Sequence, residues 1–361
     1  MVALDQLQLL ELNVRDKSDK PGAPVHARAR YTSVEICAGA GGAALGVEQA
    51  GFKHLALVEI DKAACETLRL NRPNWNVLEQ DLHQFGGWPY FGIDLLSGGV
   101  PCPPFSKAGL KQGLDDERDL FPEALRLVEV CKPRAVMLEN VPGLMEAKFA
   151  SYRAHIIDSL IQLGYIAEWR ILQAADFGVP QLRPRVICVG LQRHIAPYFT
   201  WPKPAIKRPV TVGKALSAMM ASAGWEGAAA WAERANKVGP TLVGGSKKHD
   251  GPDLGPTRAR NEWEKLGVNG LGLANEPPPP GFEGLPKLTV PMAAIIQGFP
   301  PDWAFAGKKT PAYRQVGNAF PPPVARAVAV AIRQALRTAD MEQQMRQKQQ
   351  KEDRFVTTAG G

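Results

Sequence analysis

From Val34 onward, short apolar runs alternate with segments of helical periodicity. VEIC (34–37) runs through a glycine-rich turn into a helix predicted from Gly42 to Ala50, and HLALVE (54–59) leads into one from Lys62 to Leu70. IDLLSG (93–98) ends at a proline-rich loop, and a helix is predicted from Phe121 to Cys131. RAVMLE (134–139) ends in Asn-Val-Pro, before a helix from Tyr152 to Leu163. IAEWRIL (166–172) and RVICVGL (185–191) bracket a loop. Strands alternating with helices at this spacing predict an α/β fold: a mainly parallel sheet with helices on both faces.

The alternation then breaks. Residues 239–285 hold 10 glycines and 7 prolines, including Pro277 to Pro280 in a row, so loops on a small scaffold are expected. A final apolar-periodic helix is predicted from Pro322 to Leu336, with proline suited to its first turn. The polar stretch MEQQMRQKQQKEDR behind it reads as a frayed helical tail. This organisation divides the chain into an N-terminal arm (1–30), a large α/β domain (31–191), a loop-rich insert (192–286), a return to the first domain (287–338) and a polar tail (339–361).

Composition adds exclusions. The 361 residues are 45% hydrophobic and 22% charged, as in ordinary globular proteins, which argues against a wholly disordered chain. No stretch approaches the ~20 apolar residues of a membrane span, and MVALDQLQLLELNVRDK lacks the pattern of a secretory signal. Five cysteines without a CxxC pair fit a reducing cytoplasm and give no support to a structural zinc or other metal site. The net charge of +7 is unevenly spread: between Gln192 and Lys287 stand 13 Lys and Arg against 8 Asp and Glu. Basic excess concentrated in one region suits a polyanion, nucleic acid first.

Three segments carry candidate chemistry. In EICAGAGGAALG, Gly39, Gly41 and Gly42 stand between a strand and a helix start, where backbone N–H groups can approach a nucleotide-like ligand. Glu59, 20 residues after Gly39, ends the next strand, where an acid binds ribose hydroxyls. These features fit an adenosine-containing cofactor without choosing among NAD, FAD and S-adenosylmethionine. Cys102, in GGVPCPPFS, leaves the carboxyl end of a strand within a loop stiffened by Pro101, Pro103 and Pro104, and the next strand delivers Glu139 to the same edge. A thiolate and an acid facing each other across a substrate suit nucleophilic catalysis. In PQLRPR, period-two spacing puts Gln181, Arg183 and Arg185 on one face, where the arginines are expected to grip an anionic backbone.

In order, EICAGAGG, GGVPCPPFS, ENV, QLRPR, QGFP and RQVGNAFPPPVA resemble the successive motifs of the DNA cytosine-5 methyltransferases, over roughly 33–191 and 287–337. The resemblance implies a Rossmann-like, S-adenosylmethionine-dependent methyltransferase domain with a small loop-rich target-recognition domain in the basic insert. It makes Cys102 the nucleophile at carbon 6 of cytosine, Glu139 the group at ring nitrogen 3, and Arg185 a contact to the base, supported by Arg183. It lines the S-adenosylmethionine pocket with Cys37, Ala38, Gly39, Ala40, Gly41, Gly42, Glu59, Ile60, Asp81, Leu82, Pro101 and Asn318. The base must be extruded, because stacking shields carbon 6 inside a duplex. The chain departs from the family where Asp-Leu-Phe is common and Glu35, Ile36 and Cys37 stand here. It also has Pro103 for a frequent Gln, and Met292 and Ile295 where Glu and Arg are usual.

The resemblance implies a bacterial restriction-modification enzyme acting on double-stranded DNA. It would be monomeric and cytoplasmic, at the nucleoid when bound, with a cognate endonuclease as functional rather than physical partner. The tRNA-methylating branch fits the basic insert and PCPPFS less well. A silent DNA-binding relative is disfavoured by the intact Cys102, Glu139, Arg183 and Arg185, and hydride transfer by an oxidoreductase needs neither PCPPFS nor ENV. DNA contacts are expected from Ser106, Gln181, Lys247, Lys248, Arg258 and Arg260.

Overall fold

The computed structural model describes residues 31–101, 119–244 and 253–358. Its first part runs β1 (Thr32–Ile36), α1 (Gly42–Gln49), β2 (Lys53–Glu59), α2 (Lys62–Asn71), β3 (Val77–Glu79), β4 (Leu95–Gly99), α3 (Phe121–Cys131), β5 (Ala135–Asn140), α4 (Ala150–Gln162) and β6 (Tyr165–Gln173). A two-residue β7 (Gln181–Leu182) and β8 (Pro184–Gln192) follow. Seven strands form one sheet in the order β3-β2-β1-β4-β5-β8-β6. Only the pairings of β8 with β5 and β6 are antiparallel. The order reverses between β1 and β4, and the carboxyl end of that junction is where ligands of open α/β sheets bind.

Both faces of the sheet are buried, and each strand divides its side chains by period two. Leu95, Met137, Ile187 and Val189 join one apolar cluster with Val47 of α1 and Val324, Val328 and Ile332 near the chain's end. Their neighbours Leu96, Val136, Leu138 and Cys188 join another, with Phe121, Leu127 and Val128 of α3 and Ile156 and Leu160 of α4. On the first face the last helix of the chain lies so close to α1 that a Cβ on Gly46 would sit 2.5 Å from the Pro322 carbonyl.

After β8 come α5 (Val212–Ala221), α6 (Ala228–Arg234), a two-residue β9 (Gly239–Pro240), α7 (Thr257–Lys265), α8 (Val290–Gln297), α9 (Lys309–Asn318) and α10 (Pro322–Thr358). Between 239 and 285 the regular structure among the described residues is confined to β9 and α7, in keeping with the glycine and proline content. A separate core gathers Leu216, Trp231, Leu242, Trp263 and Val268 of the insert with Met292, Ile296, Phe299, Trp303 and Tyr313 of the return segment. Insert and return therefore pack as one apolar unit, which reaches the sheet domain through Leu45 of α1.

Helix α10 continues as one helix well past Leu336, where the apolar pattern ends. Asp340 lies one turn further on. It pairs with Arg134 (Nη2 to Oδ1, 2.5 Å) and accepts a hydrogen bond from the Tyr31 hydroxyl at 2.9 Å, while Arg134 also pairs with Asp94 at 3.0 Å. Tyr198 donates to Glu342 at 2.5 Å. These polar anchors carry the helix over the sheet's edge, and beyond them i,i+4 pairs such as Glu342–Arg346 give local support.

Candidate active site

The glycine-rich turn after β1 is built from left-handed residues: Cys37 at φ 48°, Gly39 at 53° and Gly41 at 86°. It aims the start of α1 at a cavity of about 570 Å³ at the carboxyl edge of the sheet, within the usual ~300–1,000 Å³ of small-molecule sites. Cys37, Ala38, Gly39, Ala40, Gly42, Glu59, Ile60, Asp81, Leu82, Pro101 and Asn318 line it. Gly41 does not. A Cβ there would meet Leu68 Cδ2 at 2.7 Å and Trp303 at 3.0 Å, so this glycine serves packing behind the turn rather than a ligand in front of it.

Glu59 is oriented by backbone alone. It accepts from Gly39 N–H at 2.7 Å on one oxygen, and from Ile60 N–H at 2.9 Å and Asp61 N–H at 2.7 Å on the other. Burial nevertheless pushes its carboxyl above the ordinary value, against the pull of these three donors. Asp81 is half-buried and held below its ordinary range by the His83 hydrogen bond at 2.8 Å. Ile60 stands exposed at the rim. Glu35 was not foreseen as a lining residue. It is wholly buried, takes a hydrogen bond from Ser97, and its Oε1 has no partner among the described residues. Burial raises its carboxyl to about 8.

Strand register sets a polar row at the sheet's carboxyl edge. Glu35 lies opposite Ser97, Ser97 opposite Met137 two residues before Glu139, and Glu139 opposite Ile187 two residues after Arg185. Glu35, Ser97, Glu139 and Arg185 thus share one sheet face. Arg185 Nε lies 2.8 Å from Glu139 Oε1, with both side chains nearly buried. Burial pushes the Glu139 carboxyl up, and the Arg185 and Arg183 charges pull it back. Next to it, Asn140 Nδ2 donates to the Val100 carbonyl at 2.8 Å, tying the end of β5 to the segment that enters the Cys102 loop. Leu120 N–H reaches back to the Pro101 carbonyl at 3.4 Å and closes that loop's base. Cys102 and Ser106 lie outside the described residues, as do Lys247 and Lys248.

Two expectations for PQLRPR are corrected. Arg183 is only 1% exposed and grips no phosphate. Its guanidinium donates to the carbonyls of Leu242 (2.8 Å), Gly317 (2.6 Å) and Ala319 (3.1 Å), joining the insert to the end of α9. Gln181 is fully buried, bonded to the Ile296 carbonyl, Gln297 Oε1 and the Leu242 N–H, so it makes no contact with DNA. The strand periodicity is real, but the face it defines is roofed by the second core. On α7, Arg258 is exposed, whereas Arg260 is engaged by Asp253 at 2.9 Å.

The sequence reading also passed over most of α9. Pro311, Arg314, Gln315 and Asn318 all line the cavity. Their i, i+3, i+4, i+7 spacing is one helical face and was the available signal.

A doubly wound sheet, a glycine turn with a backbone-held acid, and a buried acid–arginine pair at the same sheet edge suit an enzyme that binds a nucleotide-like cofactor. The family of C-5 cytosine-specific DNA methylases matches residues 31–334, and the chain belongs to it. It is a DNA cytosine-5 methyltransferase whose methyl donor is S-adenosylmethionine. It is 56% identical to the type II methyltransferase M.NaeI of Lentzea aerocolonigenes, over 84% of this chain and 75% of that one. It is 52% identical to the type II methyltransferase M.NgoMIV of Neisseria gonorrhoeae, over 85% and 99%. Spodoptera frugiperda DNMT2 shares the fold at a TM-score of 0.59 and 17% identity, over 84% of this chain and 99% of that one. S. pombe Dnmt2 does so at 0.54 and 15%, over 85% and 98%.

The cavity fits the donor. Glu35, Glu59, Asp61, Asp81 and Glu139 line it with acidic groups, suited to a cationic sulfonium, and the buried Glu35 Oε1 has no partner among the described residues. No helix among the described residues is long and apolar enough to cross a membrane.

Proposed function

We propose that this enzyme is the modification arm of a type II restriction-modification system, methylating carbon 5 of a cytosine flipped out of a short duplex site. Relatives at 56% and 52% identity that are type II methyltransferases support this reading. The endonuclease is then a functional partner that reads the same site, and the methyltransferase works as a monomer in the cytoplasm. The observation that carries the chemistry is the buried Glu139–Arg185 pair, set beside the cofactor cavity and tied through Asn140 to the segment entering the Cys102 loop.

Bound S-adenosylmethionine supplies an electrophilic methyl on a positively charged sulfur. Cys102 adds as thiolate to carbon 6 of the base. Burial makes the neutral form of Glu139 accessible, so it can donate its proton to ring nitrogen 3 as the thiolate adds, while Arg185 holds the carboxyl and contacts the base. Carbon 5, now enamine-like, takes the methyl. Loss of the carbon 5 proton to solvent, return of the ring nitrogen 3 proton to Glu139 and expulsion of the thiolate restore the aromatic ring and the enzyme. Glu59 binds the ribose hydroxyls, Asp81, Ile60 and Leu82 surround the adenine, and Asn318 closes the methionine end. Arg258 reads a base edge, and Lys247 and Lys248 position the backbone.

Trapping on a 5-fluorocytosine duplex tests the assignment, because fluorine cannot leave as a proton does. The wild type should form one covalent complex at Cys102, and Cys102→Ser should form none while still binding cofactor. Cys65 and Cys131 are buried, and burial raises their thiols to about 12 and about 11, so neither is a ready nucleophile. A covalent complex mapped to either would overturn the reading.

A further inference from the structure

Among the described residues that line the cofactor cavity, five are carboxylic acids and one is a cation, Arg314. Arg314 projects from the same face of α9 as Asn318 and is half-buried. Its guanidinium makes no hydrogen bond or ion pair with any described residue. The contrast with Arg183 and Arg185 is sharp, since both of those spend their donors on protein acceptors. A partly desolvated guanidinium without a hydrogen-bond partner among the described residues is costly unless a bound anion completes it.

S-adenosylmethionine carries two cationic groups and one anionic group at neutral pH. The five acids suit the sulfonium and the ammonium and repel the carboxylate. We infer that Arg314 binds the α-carboxylate of the cofactor and fixes which way round the methionine tail lies. This rests on the cavity being the cofactor site. The guanidinium presents paired N–H donors that match a carboxylate, and a lysine at the same place would keep the charge but lose the fork.

The test is binding without turnover. Calorimetry on the full chain, without DNA, measures the affinity for S-adenosylmethionine and for its decarboxylated form, which keeps both cationic groups and lacks only the carboxylate. Wild type should prefer the intact cofactor by roughly 10- to 100-fold, the range of a charge-assisted hydrogen bond. Arg314→Gln and Arg314→Ala should each abolish that preference by weakening the intact cofactor alone, and Arg314→Lys should recover part of it. Melting curves of each variant check that it is folded, and the longer, polar Gln variant stands in if Ala is not. Equal loss for both ligands, or no loss for either, would overturn the inference. So would unchanged cofactor binding with a duplex-binding salt slope lowered by about one, which would make Arg314 a phosphate contact. Glu59→Gln separates the two levels of the argument. If it leaves both affinities unchanged, the cavity assignment itself fails. If it weakens both while Arg314 variants do not discriminate, only the carboxylate assignment falls.

Discussion

The sheet domain and the second core treat their polar groups in opposite ways. At the sheet's carboxyl edge, acids are held by backbone N–H groups or by a single arginine, and they keep a free face toward the cavity: Glu59 on three amides, Glu139 on Arg185. In the second core, polar side chains are consumed. Arg183 and Gln181 spend their hydrogen bonds on carbonyls, an amide and a neighbouring side chain of converging loops, and they reach neither ligand nor solvent. Residues two apart on one extended segment thus take unlike tasks, Arg183 tying separate segments together and Arg185 pairing with a buried acid at the cavity. A side chain's role follows from what lies across from it, and spacing alone does not say whether that is a ligand or a roof.

The largest expected effect breaks the structural side of this contrast. Arg183→Met should strand three carbonyls and cost about 3–5 kcal/mol, as for other broken buried charges. Urea unfolding should report it, and a stability near wild type would mean that the carbonyl contacts contribute little. Glu35→Gln should act in the opposite direction. The folded-state carboxyl titrates near 8 and the unfolded one near 4.5, so between those values the native state holds the extra proton and stability falls as pH rises. The neutral amide escapes that penalty. The variant should be more stable than wild type by an amount on the order of a few kcal/mol at pH 8, with the gap closing toward pH 4.5. A gap independent of pH would show that Glu35 is not the titrating group.

Catalysis sharpens the other side. Glu139→Gln should lower turnover about 100-fold, equivalent to ~2.7 kcal/mol, with duplex affinity little changed. Single-turnover methyl transfer checks this, and near-normal rates would assign ring activation to another group. The smallest effect is expected at the surface. Arg260 is already paired with Asp253 on a partly exposed face, so Arg260→Ala should change stability by less than about 1 kcal/mol. It should also leave the methylated site unaltered, whereas Arg258→Ala should relax it. Site mapping by bisulfite sequencing distinguishes the two.

How much was legible in the residues follows from where each signal is stored. Apolar runs and helical periods are local, so α3 begins and ends where the pattern says, at Phe121 and Cys131, and β1, β2, β4, β5, β6 and β8 are found within a few residues, whereas the two- and three-residue strands β3 and β7 are too short to leave a pattern. Glycine turn, loop cysteine and strand-end acid are likewise local, because each needs its own backbone geometry or position in the motif. Three things were decided only by folding. The burial of Gln181 and Arg183 depends on segments 59 to 134 residues away, which must converge before the two side chains have partners. The tail behind Leu336 already reads as helical, but where it docks depends on Arg134 and Tyr31 meeting Asp340, an attraction invisible to a helical period. The cation of the cofactor cavity depends on α9 closing over the edge of the sheet, which brings Arg314 to acids from four other segments. Periodicity says which residues share a face; only packing says what that face meets.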